Sequence, residues 1–165
     1  MGIFTAAIAL LTKSGSQDTE EPRRVKHAPD GTESKPTVLI IDDDSSFLDA
    51  MRTVLGGAGY DVLTSSTGPK GLDMLRYAAR DIDAVLLDFN MPRFNGTETL
   101  QFLRKLSPQV KVIAVSGVKQ TELPAEFREG VERFVPKPFS NGDLLKALDG
   151  VLEQKFAEVP AAESE

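Results

Sequence analysis

Residues 37–46 read TVLIIDDDSS, a short run dominated by branched aliphatics that passes without a break into Asp42, Asp43 and Asp44. A continuous apolar run of this length is the pattern of a strand buried on both faces, as in a parallel sheet. Crowding carboxylates at its end is costly, because two unit charges about 4 Å apart repel by roughly 4 kcal/mol at an effective dielectric of about 20. A positive partner is therefore expected there.

Outward from this stretch, strands and helices alternate. Phe47, Leu48, Met51, Val54 and Leu55 recur at helical spacing, and GGAG (56–59) closes that helix before a second strand, YDVLT (60–64). A second helix is predicted over 69–77, a third strand at DAVLLD (83–88), a loop over 89–96, and a third helix over 97–106 with Leu100, Leu103 and Leu106 on its inner side. VKVIAVS (110–116), a weaker helix over 125–129, the short strand RFVP (133–136) and a last helix over 141–154 complete the series. Five βα units imply an α/β fold, a doubly wound five-stranded parallel sheet with helices on both faces.

The chain has 165 residues, 41% of them hydrophobic, which suits one packed core. A net charge of −6 argues against a nucleic-acid partner. There is no cysteine, so thiolate catalysis, disulfides and cysteine zinc sites are excluded, and the single histidine, His27, lies in a polar stretch unsuited to a histidine metal cluster. MGIFTAAIALL (1–11) is too short an apolar run to span a bilayer and lacks the basic residues that precede a signal peptide's core. It also has Ala6 where a myristoylation signal requires Ser or Thr. Residues 1–36 are expected as a weakly helical or disordered leader and linker, 37–156 as the functional domain and 157–165 as a disordered tail, in a cytoplasmic protein with no membrane span.

In open parallel sheets, ligands bind beyond the carboxyl ends of the strands. Those ends carry Asp42 to Asp44, Asp88, Ser116 and, after the fifth strand, Lys137. Each has an ordinary explanation taken singly: a helix cap, a loop initiator, a turn residue, a solvated charge. Their coincidence along one sheet edge points instead to a site. Mg²⁺ takes oxygen ligands, one or two of them carboxylates, and often a phosphate oxygen. Asp43 and Asp88 are the expected direct ligands, with Asp42 one shell out. With a cation offsetting the repulsion, Lys137 can balance a phosphoryl group, the Ser116 hydroxyl can donate to it, and Asp88, alone at its strand end, is the expected nucleophile.

LIIDDDSS, AVLLDFNMPRFNG, VIAVSG and RFVPKPF, in this order, closely resemble the response-regulator receiver domain of two-component signalling over about residues 37–154, and in particular the stand-alone chemotaxis type. The resemblance implies a flavodoxin-like strand order of 2-1-3-4-5. It implies that Asp88 accepts phosphate from a histidine kinase or histidine phosphotransfer protein, that Asp42, Asp43 and the backbone carbonyl of Asn90 serve Mg²⁺, and that Lys137 contacts the phosphate. Ser116 then matches the switch hydroxyl and Phe134 the aromatic that moves with it. Pro92 and Gly96 shape the loop after the nucleophile, and the family's Lys-Pro bond, here Lys137–Pro138, is commonly cis, which aims the lysine inward. Three positions depart from the usual pattern: Ser116 replaces threonine, EGVER (129–133) replaces a small-residue turn, and Val118 offers no polar group to position an attacking water.

The expected function is a single-domain response regulator, a phosphoacceptor and not a classical enzyme. It acts by phosphorylation-dependent binding through the face of the fourth helix, fifth strand and fifth helix, to a target the sequence does not name, or by onward relay. The alternative is a degenerate receiver that binds partners without phosphorylation. An aspartyl phosphatase needs a second acid two residues after the nucleophile, where Asn90 stands, and a flavin-phosphate site is incompatible with Asp42 to Asp44.

Overall fold

The computed structural model describes residues 26–27, 33–78 and 82–157. Five strands, β1 (Thr37–Ile41), β2 (Asp61–Ser65), β3 (Ile82–Asp88), β4 (Lys111–Ser116) and β5 (Arg133–Pro136), form one sheet. All neighbours are parallel and the order is 2-1-3-4-5. The helices are α1 (Ser45–Gly57), α2 (Gly68–Ala78), α3 (Gly96–Leu106), α4 (Ala125–Glu129) and α5 (Asn141–Ala157), and a 3₁₀ turn at Gln120–Glu122 precedes α4. This is the predicted fold class with the predicted strand order. Among the described residues no helix is long and apolar enough to cross a membrane.

Alternation along the strands builds two cores. Val38, Ile40, Ala84, Leu86, Ile113 and Val115 point to the side covered by α1 and α5, where they meet Leu48, Met51, Leu55, Leu144, Leu148 and Val151. Leu39, Ile41, Val85, Leu87, Val112 and Ala114 point to the other side, against Leu75, Leu100, Leu103 and Phe127. The central β3 is buried along its whole length, as a strand covered on both faces must be. The edge strands β2 and β5 are more open, each with one buried residue, Ser65 and Val135.

Local chemistry sets the ends of these elements. Asp44 caps α1, its carboxylate accepting from the Ser46 and Phe47 N–H groups at 2.9 and 3.2 Å. The same helix stops where Gly59, at φ 91°, takes the left-handed conformation that favours glycine. Asn95 and Glu98 close a reciprocal capping box on α3. At the start of β1 the register with β3 shifts, and the buried Asp83 side chain takes the Thr37 N–H at 2.9 Å.

One expectation requires correction. Leu106 is 39% exposed, not on the inner side of α3 with Leu100 and Leu103. Steps of three residues fall about 60° short of a full turn, so the third leucine in such a series leaves the core face. Within the expected linker, Lys26–His27 pairs antiparallel with Glu33–Ser34. The remaining leader, residues 1–25 and 28–32, and the tail after residue 157 lie outside the described residues.

Candidate functional site

The three consecutive acids at the end of β1 have three different environments. Asp42 is 1% exposed; its N–H donates to Ser65 O at 3.1 Å, which ties the turn to β2. Its Oδ1 accepts from the Asp44 N–H at 2.9 Å and its Oδ2 from Lys137 Nζ at 2.6 Å, so both oxygens are engaged. Asp44 is the helix cap. Asp43, between them, is exposed.

Asp88 ends β3, the central strand, and is 5% exposed. Asp42, Asp43 and Asp88 each bring one carboxylate oxygen within 4.8 Å of the others. Lys137, directly after β5, crosses the sheet edge to reach Asp88 Oδ1 at 3.3 Å as well as Asp42. One ammonium thus bridges two of the three clustered carboxylates. Burial pushes the Asp88 carboxyl above its ordinary range; Lys137 opposes the shift, Asp42 adds to it, and the Asn90 backbone N–H bonded to Asp88 opposes it. For Lys137, burial alone acts downward. Hydrogen bonding to Asp42 and the charges of Asp88 and Asp42 outweigh it and hold the ammonium above its ordinary value.

The loop after Asp88 folds back against the strand it leaves. Gly96 N–H donates to Phe89 O at 3.0 Å, and a Cβ at Gly96 would lie 2.7 Å from both Asp88 O and Phe89 Cα. Those are backbone atoms with nowhere to go, which is the physical reason for glycine here. Gly96→Ala is expected to cost about 2 kcal/mol by overpacking, seen as a lower urea midpoint, and to displace the Asp88 backbone directly. The Phe94 N–H meets Pro92 O at 2.8 Å across Arg93, whose φ of 68° makes this a γ-turn of the strained kind. Pro92 is the first residue of this turn and Gly96 closes the loop onto Phe89, while the strained residue itself, Arg93, carried no sequence signal.

Ser116 is fully buried at the end of β4; its Oγ accepts from the Val118 N–H at 3.1 Å and its carbonyl from the Lys137 N–H at 2.8 Å. Phe134 pairs in register with Ala114, two residues before Ser116, and is half-buried against the core on that side. The Lys137–Pro138 bond is cis. Departing from the family's small turn, Glu132 accepts from the Val112 N–H at 2.6 Å and pairs with Arg104 at 2.9 Å. Arg104 also donates to Gly130 O and Val110 O at 2.7 and 2.6 Å, so the larger EGVER segment is tied down. Sequence reasoning missed this anchor, because Arg104 on an amphipathic helix reads as a solvated face. It also missed Phe47, read only as a core residue, whose ring lies 4.3 Å from Lys137 Nζ, and the Phe89–Phe127 ring contact at 5.1 Å.

Comparison with known proteins agrees with this fold. The family model for the response regulator receiver domain matches residues 38–149. The chain is 31% identical over 137 residues to the sensor kinase CckA of Brucella abortus, covering 81% of this chain and 14% of that protein. It is 30% identical to the response regulator MprA of Mycolicibacterium vanbaalenii, covering 77% of this chain and 54% of the relative. The chain thus spans about half the length of that response regulator. Among solved structures, a receiver domain protein from Clostridium thermocellum superposes with a TM-score of 0.70 at 28% identity, covering 75% of this chain and 99% of that one. The Vibrio cholerae chemotaxis protein CheY4 does so with a TM-score of 0.67 at 27% identity, covering 72% and 100%.

Proposed function

We propose that this chain, which belongs to the response regulator receiver domain family, takes a phosphoryl group onto Asp88 from the phosphohistidine of a histidine kinase or histidine phosphotransfer protein. Receiver domains are phosphoacceptor signalling domains that work with such partners and generally bind Mg²⁺ through acidic residues. The observation that carries the reading for this chain is the meeting of Asp88, Asp42 and Asp43 with one lysine at the end of the central strand.

The donor set fits Mg²⁺: oxygen ligands, more carboxylates than cations, and an exposed acid on the open side. Asp43 and Asp88 are the direct ligands, joined by the Asn90 carbonyl. Asp42, with both oxygens already accepting hydrogen bonds, acts from behind them. The ion supplies charge neutralisation that lets a phosphoryl group approach a carboxylate.

In the transfer, an Asp88 oxygen forms the new P–O bond as the donor's P–N bond breaks and its electron pair leaves with the imidazole. Lys137, already on Asp88 Oδ1, meets the charge on the phosphoryl oxygens. Ser116 Oγ accepts from Val118, which leaves its own O–H to donate to a phosphoryl oxygen. Drawing Ser116 toward Asp88 opens space beside Phe134 on the same side of the sheet, and the ring turns inward. The altered face of α4, β5 and α5 is then what a downstream partner recognises.

The test is incubation with acetyl phosphate, read by intact mass. One phosphoryl group gained with Mg²⁺ and none in EDTA is the expected result. No gain by a folded chain in Mg²⁺ defeats the reading in favour of a receiver that only binds partners.

A further inference from the structure

Lys137 is held by more than carboxylates. Its Nζ lies 4.3 Å from the centroid of the Phe47 ring, inside the distance of about 6 Å at which a cation is attracted to an aromatic face. An ammonium has three N–H groups and no acceptor. Asp42 and Asp88 take two of them, and the negative face of the ring is the third neighbour with which the charge interacts.

The ring is itself fixed from two directions. Phe47 is the third residue of α1, and its N–H donates to the Asp44 carboxylate at 3.2 Å, so the cap that starts the helix also sets the ring's backbone. The ring then meets Phe139 edge to face, at 6.1 Å between centroids and 87° between planes. Phe139 comes two residues after Lys137, so one short segment supplies both the lysine and the brace of the ring beneath it. A lysine on a flexible four-carbon stem, 29% exposed here, has many alternative rotamers. A ring fastened at both ends removes those that leave the acids.

We propose that Phe47 is a positioning residue for Lys137, its ring keeping the ammonium against Asp42 and Asp88 where it meets a phosphoryl oxygen. The role rests on Asp88 being the phosphoacceptor, but the contact does not.

The experiment uses the full chain, native and with Phe47→Leu, Phe47→Tyr and Phe47→Trp. Leucine keeps apolar bulk and discards the aromatic face; tyrosine and tryptophan restore the face. Should leucine unfold the first turn of α1, methionine takes its place. The first readout is the rate of mass gain with acetyl phosphate and Mg²⁺, expected to fall about fivefold with leucine, a loss within the range of cation–π contacts, and to stay near native with tyrosine. The second is the Lys137 ε-methylene resonance in protein carrying ¹³C-labelled lysine, assigned by its loss in Lys137→Met. Ring current shifts it upfield in the native chain, and it is expected to return to the ordinary lysine position with leucine and to remain shifted with tyrosine. A resonance indifferent to leucine overturns the contact. A resonance that moves while the rate does not overturns the positioning role. If the native chain gains no phosphoryl group, the phosphoacceptor reading fails separately, and the resonance alone decides whether Phe47 holds Lys137.

Discussion

Asp88→Asn is expected to abolish phosphoryl gain from acetyl phosphate entirely and, in the same step, to make the fold more stable at neutral pH. The first effect follows from removing the proposed nucleophile. The second follows from counting charges: among the described residues, Asp42, Asp43 and Asp88 cluster beside one ammonium, Lys137, which pairs with two of them, and the amide leaves Lys137 paired with Asp42 at 2.6 Å while retaining an oxygen for the ammonium. Burial raises the Asp88 pKa above 3.8, so between that value and the raised one the folded chain binds more protons than the unfolded chain. Native stability therefore falls as pH rises through this window, and the loss is complete above it. Asparagine has no such loss. In EDTA, its advantage is expected at about 1 kcal/mol near pH 7, the lower end of what relieving buried charge yields, and to vanish as pH falls below the ordinary carboxyl range. Urea midpoints at the two pH values measure it, and a variant less stable than native at neutral pH contradicts the charge count. An acceptor carboxylate that costs stability is what a site built for chemistry predicts.

Much of this site is legible in the sequence because its information is local. TVLII followed by three aspartates announces a buried strand that ends at a charged site, and the strand ends fall on one edge by the topology of parallel βα units. Asp42, Asp88, Ser116 and Lys137 were all found by that rule, and each lies at that edge. What the sequence hid depends on distances across the fold. Phe47 has helical spacing and therefore reads as core, yet its ring serves both the core and Lys137. Arg104 has the spacing of a surface residue, yet binds the Gly130 carbonyl and Glu132, which lie 26 and 28 residues away along the chain. The strain at Arg93 is invisible because nothing in that side chain announces a positive φ. Leu106 failed for the opposite reason: a pattern of threes was extended one step beyond what a helix of 3.6 residues per turn supports.

Lys137→Met carries the largest expected loss of stability, about 3 kcal/mol, because removing the cation leaves Asp42 and Asp88 buried together with no counter-charge. Methionine fills the stem's volume, so the deficit isolates the charge. Its pH dependence has a definite sign. The Lys137 pKa is raised in the fold, so the stabilisation it gives is fully present below the ordinary lysine value of 10.5 and is lost as pH climbs through the raised one. On the acid side the deficit shrinks for another reason, since Asp88, its pKa already raised, takes up a proton as pH falls and removes one of the stranded charges. Phosphoryl gain is expected to fall about a hundredfold, the scale of losing one preorganised donor. Mg²⁺ separates the two roles of the site. The lysine holds the same Asp88 carboxylate that is proposed to bind the ion, so added Mg²⁺ should raise the urea midpoint of the Met variant more than that of the native chain, by linkage to tighter binding. An equal rise in both means that lysine and ion use the cluster independently, and Lys137 then serves the phosphoryl group without competing for the metal.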